Sequence, residues 1–290
     1  MHIPVLLEKV VEYLDPKPGQ NFVDCTLGQA GHARALLELS KPDGKVLGID
    51  VDSKSLKKIK PLDRLFLVCS NFKDLKKIVY EQKFGPINGI LFDLGLSSWQ
   101  IEHSNRGFTF KKDEPLIMII NGKQQVTAEE ILNTWPEESL MEIIGKHSEE
   151  KYARRIVRGI VNQRRIFPIK TTFQLKEIIR RAVPLSEKGR GRLNRVLARI
   201  FQSLRIIIND ELENLKQGLD QSLEIISPNG RIVVISFHSL EDRIVKRFFR
   251  EKEAKGDLKI LTKKPVIADE IEISENPRSR SAKLRAAVKI

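Results

Sequence analysis

The first ninety-odd residues alternate short apolar runs, each ending in an acidic or turn residue, with longer amphipathic segments. That rhythm belongs to βαβ units around a parallel sheet. Val5 to Leu14 reads as an opening helix, stopped by Pro16, Lys17, Pro18 and Gly19. Strands are predicted at Asn21 to Asp24, Lys45 to Asp50, Leu65 to Cys69 and Ile87 to Asp93, and helices near His32 to Ser40, Ser53 to Lys60 and Phe72 to Lys83. From about Ser104 to Arg195 no buried strand is evident, and helix-like stretches follow one another at Ala128 to Leu132, Pro136 to Gly145 and Tyr152 to Gln163. The α/β rhythm then returns with one long helix from about Ala198 to Ile226 and a Pro228-Asn229-Gly230 turn. Next come the apolar strand Arg231 to Phe237, a helix from Leu240 to Arg250, and two weaker strands at Leu258 to Thr262 and Ala282 to Ile290. The expected fold is α/β, a Rossmann-like seven-stranded sheet with an inserted helical domain. Its parts are residues 1–103, an insertion at 104–195, and 196–290.

Charge sharpens that division. The chain of 290 residues has a formal net charge of +13. Lys146 to Arg205 alone holds 17 Lys and Arg against 4 Asp and Glu, while the acids and bases elsewhere cancel. A concentrated basic field steers polyanions and supplies the sequence-independent part of nucleic-acid affinity; a pair of solvated amphipathic helices is the plainer reading. The start of the chain lacks the basic and apolar regions of a signal peptide, and no stretch nears the apolar length of a membrane span, so a cytoplasmic protein without a membrane partner is expected. Cys25 and Cys69 lack CxxC spacing, and neither a metal site nor a disulfide is expected.

Candidate chemistry gathers at strand ends. Phe22 to His32 runs from a strand through the small-residue loop Cys25-Thr26-Leu27-Gly28-Gln29-Ala30-Gly31 into a helix, where backbone can approach a ligand closely. Nineteen residues beyond Gly31, Asp50 closes the second strand, where a carboxylate can accept from both ribose hydroxyls. Together they predict a nucleoside cofactor. The loop lacks the G-x-G of a pyrophosphate cradle; it suits the methionyl tail of S-adenosylmethionine better, with Asp24 near the ammonium. Turn capping is the alternative for Asp24 and Asp50. Phe72, at the carboxyl edge of the third strand, could stack on adenine or pack into the core.

The fourth strand ends at Asp93 and opens into Leu94-Gly95-Leu96-Ser97-Ser98-Trp99-Gln100. An exocyclic amine on a base is a weak nucleophile, and an acceptor at its N–H bonds helps to localise the lone pair. Asp93 is the candidate acceptor, or else it caps the loop through the Ser97 and Ser98 N–H groups. The cluster Ser236 to Arg243 contains adjacent Ser and His residues but no G-x-S-x-G elbow, which disfavours hydrolase chemistry. Asn276 to Arg285 gathers four cations in an extended stretch suited to phosphate contact.

His2-Ile3-Pro4-Val5-Leu6-Leu7, Asp24 to Gly28, Phe92 to Ser98, Asn105-Arg106-Gly107-Phe108-Thr109-Phe110, Ser236 to Arg243 and Asn276 to Leu284 together resemble the bacterial 16S rRNA cytosine-N4 methyltransferase family, RsmH or MraW. The resemblance spans nearly the whole chain. It implies a class I methyltransferase fold, S-adenosylmethionine as cofactor, and methylation of the N4 amine of a decoding-region cytidine in 16S rRNA of the small ribosomal subunit. The helical insertion would serve the substrate, and a homodimer is left open. The cofactor positions it implies are Ala30, Gly31, His32, Asp50, Phe72, Asp93 and Gln100, with Asp93, Ser97 and Ser98 at the reacting end. Ala30 stands where the family usually has glycine. The family's Gly-Pro-Leu-Asp-Met-Arg-Met-Asp appears here as Glu114-Pro115-Leu116-Ile117-Met118-Ile119-Ile120-Asn121. Its His-Pro-Ala-Thr-Arg-Thr-Phe-Gln-Ala-Leu-Arg appears as Arg195 to Arg205 without the histidine, proline or threonines. Two other readings stay open: a non-catalytic RNA-binding or ribosome-assembly factor on the same fold, and a nicotinamide-dependent reductase on a related sheet.

Overall fold

In chain order the elements are helix α1 (Leu7–Leu14), strand β1 (Phe22–Asp24), α2 (Gly31–Leu39), β2 (Val46–Asp50), α3 (Ser53–Leu56), β3 (Leu65–Cys69), α4 (Leu75–Glu81) and β4 (Gly89–Asp93). There follow α5 (Ser98–His103), α6 (Ala128–Thr134), α7 (Glu137–Ser148), α8 (Ala153–Arg164), α9 (Thr172–Ala182), α10 (Arg190–Asn209) and α11 (Glu211–Ile225). The chain closes with β5 (Arg231–Ser236), α12 (Ser239–Ala254), β6 (Leu258–Ile260), α13 (Glu270–Glu275) and β7 (Lys283–Lys289). This computed structural model describes residues 3–121, 126–184, 186 and 189–290, with their side chains except those of Ser98, Trp99, Glu102 and Arg190. His2 of the opening motif therefore lies outside the described residues, as does the side chain of Ser98.

The strands form one sheet in the order β3-β2-β1-β4-β5-β7-β6. β1 to β5 run parallel, and β7 is antiparallel to both of its neighbours. The two-residue period of the strands sorts their side chains to opposite faces. Val23, Ile90, Phe92, Ile232 and Val234 pack under α4, α11 and α12 through Leu75, Leu219 and Phe249. Phe22, Leu91, Val233 and Ile235 pack under α1 and α2 through Val10, Leu14 and Leu36. A parallel sheet covered on both faces needs such unbroken apolar strands, and strand order reverses between β1 and β4, which fixes the crevice at their carboxyl ends.

The chain divides into two compact units, Met1–Gly95 with Leu212–Ile290, and Leu96–Glu211. The boundary expected at residue 195 falls inside α10, because Val196, Leu197, Ile200, Phe201, Leu204 and Ile208 bury their stripe in the helical unit's own core, beside Ile144, Ile156 and Ile179. The single helix expected from Ala198 to Ile226 is two, since Asp210 turns left-handed at φ 51°. Asp tolerates that region better than most residues. α9 was not anticipated; Thr171 and Gln174 open it with a capping box, and Leu175, Ile178 and Ile179 bury its inner stripe. The opening helix starts at Leu7 instead of Val5, because Leu6 takes φ 52° and its N–H donates to Glu272 Oε1 at 2.6 Å. No helix among the described residues is long and apolar enough to cross a membrane.

One buried side chain fastens the segment that departs from the family pattern. Asn209 is 4% exposed; its Oδ1 accepts from Ile120 N at 2.9 Å, and its Nδ2 donates to Met118 O and Arg205 O, both at 2.9 Å. Met118 is itself held at φ 56°, a conformation that costs an L residue about 1–2 kcal/mol. Asn209→Ala leaves the Ile120 N–H and Met118 carbonyl unpaired, so urea denaturation is expected to register a loss of about 2–4 kcal/mol with an unchanged m value. A loss near zero would mean that the segment is held by other contacts.

Candidate active site

The crevice is built by one loop stitched to three strand ends. After β1, Cys25 N donates to Leu91 O at 2.9 Å and Leu27 N to Ile49 O at 2.9 Å, so the loop bridges β4 and β2. Thr26 Oγ1 accepts from Asp93 N at 2.7 Å, and Asp24 accepts from Thr26 N at 3.1 Å. Asp50 accepts from Gly28 N and Asp52 N, each at 2.8 Å. The capping reading of Asp24 and Asp50 is thus correct as far as it goes, yet each carboxylate oxygen has a second lone pair for a ligand.

Ala30 sits in the left-handed region at φ 62° and is fully buried. Its position therefore does need positive φ, the condition under which a methyl group is not well tolerated. Gly31 has a steric reason of its own: a Cβ there would collide with the Pro4 ring. The opening motif thus closes over the loop. His32, 5% exposed, has Nε2 at 3.0 Å from Val5 O. A carbonyl only accepts, so Nε2 carries the proton, and Nδ1 faces Asp93 Oδ2 at 3.7 Å. Oδ1 of Asp93 is buried without a hydrogen-bond partner.

Burial dominates the electrostatics. It raises the Asp24 carboxyl to about 7, with Thr26 N–H opposing and the Asp50 charge assisting. Burial also raises Asp50, and it drives Asp93 well above the usual carboxylate range, helped by the charges of Asp24 and Glu241. Among the described residues no lysine or arginine pairs with Asp24, Asp50 or Asp93. A cluster of carboxylates desolvated without a cation suits a positively charged ligand. The sulfonium and ammonium of S-adenosylmethionine meet that requirement, and the unpartnered Asp93 Oδ1 is where an additional donor fits.

Phe72 follows β3 in a 3₁₀ turn and packs edge-on against Phe92, with ring centroids 5.4 Å apart. Gly218 of α11 is kept free of a Cβ by the same ring. It is half-buried, so core packing claims one side of the ring and leaves another to solvent. Ser97 and Gln100 belong to the helical unit and engage each other: Gln100 N donates to Ser97 Oγ at 3.3 Å and Ser97 N to Gln100 Oε1 at 2.9 Å. This capping box takes up the Ser97 N–H, so Asp93 is not the cap acceptor for it. Ser98 begins α5.

Two motifs change meaning. Glu241 is a buried carboxylate that accepts from Phe237 N at 2.9 Å and His238 N at 3.3 Å, while His238 Nδ1 accepts from Glu241 N at 3.4 Å. The signal was the capping spacing His238-x-x-Glu241, masked by histidine in the cap position. The basic stretch from Asn276 to Arg285 is extended only from Lys283, where β7 begins; Pro277–Ser281 form a 3₁₀ turn. Two of its four cations pair with Asp242, Arg285 at 2.6 Å and Lys283 at 3.8 Å, and the Arg285 side chain is buried there.

The sheet order and the acidic crevice define a Rossmann-like enzyme for a nucleoside-bearing cation. The model of the MraW methylase family matches residues 1–290. A "Ribosomal RNA small subunit methyltransferase H" from Carboxydothermus hydrogenoformans is 42% identical over 309 residues, covering 100% of this chain and 98% of the relative. Proteins of the same name from Heliobacterium mobile and Thermotoga neapolitana are 44% and 46% identical, with 100% and 99% of this chain and 99% and 95% of theirs covered. The chain belongs to the MraW methylase family, whose members use S-adenosylmethionine as methyl donor.

Two measurements test this arrangement. Ala30→Gly relieves the left-handed strain but gives up a buried methyl and adds unfolded-state freedom; stability is expected to stay within about 1 kcal/mol of the parent. Ala30→Val, branched and fully enclosed there, is expected to lower it by more than about 2 kcal/mol. Equal losses in both would show that space, and not φ, governs the position. For Asp24, the folded carboxyl ionises at about 7 and the unfolded one near 4. Between those values the folded state holds the extra proton, so this contribution is complete below about pH 4 and is lost as pH rises through 7. Melting temperature should therefore fall less steeply from pH 5 to pH 7.5 in Asp24→Asn than in the parent; parallel curves would count against a raised Asp24.

Proposed function

We propose that this protein methylates the exocyclic N4 amine of a cytidine in the decoding region of 16S rRNA, acting on the small ribosomal subunit. The observation that carries the reading is Asp93: its Oδ1 is buried and unpartnered at the carboxyl end of β4, beside the point where strand order reverses, in a chain matched from end to end by the family model. The names of the 41–46% identical relatives support small-subunit ribosomal RNA as the substrate class.

S-adenosylmethionine supplies, when bound, a methyl group on a positively charged sulfur that departs with the bonding pair. Ala30, Gly31 and His32 form the close-approach loop for it, Asp50 accepts from its ribose, and Asp24 answers its ammonium. Phe72 offers its open side to adenine, and Gln100 is a further cofactor candidate. Asp93 accepts a hydrogen bond from the amine, which localises the nitrogen lone pair, and takes the proton that the amine sheds as the N–C bond forms. Burial raises the affinity of Asp93 for protons, which favours its taking that one. Ser97 and Ser98 are the further candidates for the reacting end, and alignment carries most of the rate. The basic helical unit holds the RNA backbone while an unpaired cytidine enters.

A second reading has a specific motive. The positions where the family has two carboxylates and an arginine are here Ile117, Ile119 and Asn121, all only half-buried. A non-catalytic RNA-binding or assembly factor follows if those groups are indispensable. Labelled methyl transfer to small subunits lacking the modification, followed by nucleoside analysis, separates the two. We expect N4-methylcytidine from the parent and a loss of at least about 100-fold in Asp93→Ala at saturating cofactor. Binding of cofactor and RNA without any methylated nucleoside favours the second reading.

A further inference from the structure

The loop between α8 and α9 presents apolar side chains to solvent from a fixed base. Ile166 and Phe167 are each 68% exposed, and Phe173, in the first turn of α9, is 42% exposed. Slack does not explain this. Arg164 Nη1 donates to Leu132 O at 2.9 Å and Trp135 O at 2.7 Å. The backbone of Ile169, 1% exposed, exchanges hydrogen bonds with the Asn133 amide at 2.9 and 2.8 Å. Ile166 N and Phe167 N both donate to Gln163 O at 3.0 Å. The chain could have placed polar residues on so firm a turn, and consecutive large apolar residues in water are a liability unless something covers them.

Charge identifies the cover. Arg165 and Lys170 flank the apolar pair, and among the described residues neither meets a carboxylate. Segment 110–113 runs beside the start of α9, with Thr172 Oγ1 donating to Lys112 O at 2.7 Å and Phe173 N to Asp113 Oδ1 at 3.1 Å, which brings Lys111 and Lys112 to the same border. Lys176 Nζ lies 4.9 Å from the Phe173 ring centroid. Protein-binding patches are depleted in lysine, whereas aromatic faces rimmed by cations are the arrangement that takes unpaired nucleotides. We propose that Phe167 and Phe173 form a stacking platform for unpaired bases of the RNA strand, with Arg165, Lys170 and Lys111 on its phosphates. Phe167 and Phe173 are six residues apart, so at most about 20 Å of chain separates them, and one short stretch of single strand reaches both.

This inference rests on RNA being the substrate, and its test is kept separate from methyl transfer. Binding of the full chain to a mixed-sequence single-stranded RNA, and to the same strand in a duplex, is followed by anisotropy across a salt series. Phe167→Ala is expected to weaken single-strand binding on the order of 10-fold with its salt slope unaltered. The pair Arg165→Gln and Lys170→Gln is expected to lower that slope by about one to two. Emission from Phe167→Trp should be quenched by the single strand and unchanged by the duplex. Unaltered binding by Phe167→Ala, or an unquenched tryptophan, overturns the platform. So does a Phe167→Ala variant that binds RNA fully but loses association with assembled subunits, which marks a protein contact instead. Quenching in a protein that forms no N4-methylcytidine leaves the platform standing and removes the proposed reaction; product formation alongside unaltered Phe167→Ala binding removes only the platform.

Discussion

The site depends on keeping carboxylates dry at the ends of parallel strands. Asp24, Asp50 and Asp93 terminate β1, β2 and β4; Asp24 is fully buried, and Asp50 and Asp93 are half-buried among apolar strand ends. Desolvating an acid without a cation is costly, and the protein limits the cost with backbone N–H donors: Thr26 for Asp24, Gly28 and Asp52 for Asp50. Asp93 is the exception, with one oxygen left over. The remaining cost is what a cationic ligand relieves, which makes the same feature a weakness of the free protein and the source of its affinity.

The helical unit meets a different constraint. It has its own core, from Leu116 to Ile208, and so can carry an excess of positive charge on its exterior without disturbing the sheet. Three of its acids are taken up by its own arginines: Glu177 with Arg180 and Arg181, Glu150 with Arg199, Glu211 with Arg205. The basic excess lies between Lys146 and Arg205, and a field of that kind acts on a polyanion at a distance set by ionic strength.

Much of this was legible in the residues. Strand ends were readable to within a residue or two because each apolar run stops at an acid or a turn, as Val46–Asp50 does. The strand-end acids and the small-residue loop were legible for the same reason. The chain pattern could not reveal φ at Ala30 or Asp210, since a backbone angle follows from closure of the surrounding structure and not from the residue alone. Periodicity ran through Asp210 because both helices are amphipathic there. α9 was hidden by its short length and by the basic residues that dilute its apolar stripe. Ser97 and Gln100 were legible as a pair of positions but not as a capping box, which needs the backbone to turn at Ser97.

The motifs farthest from the crevice act on it through packing. Asp242 of the Ser236 to Arg243 motif holds Arg285 and Lys283 on β7. The Asn276 Nδ2 group donates to Ile3 O at 3.1 Å, and Glu272 accepts from Leu6 N. Those two contacts fix the opening segment, whose Pro4 lies over Gly31 and whose Val5 carbonyl orients His32 toward Asp93. A cation in Asn276 to Arg285 therefore need not touch RNA to matter, and the end of the chain governs the ring that faces Asp93. Motifs far apart in the chain meet at one crevice because a sheet brings strand ends together, while the opening segment, clamped by Glu272 and Asn276, closes the loop from above.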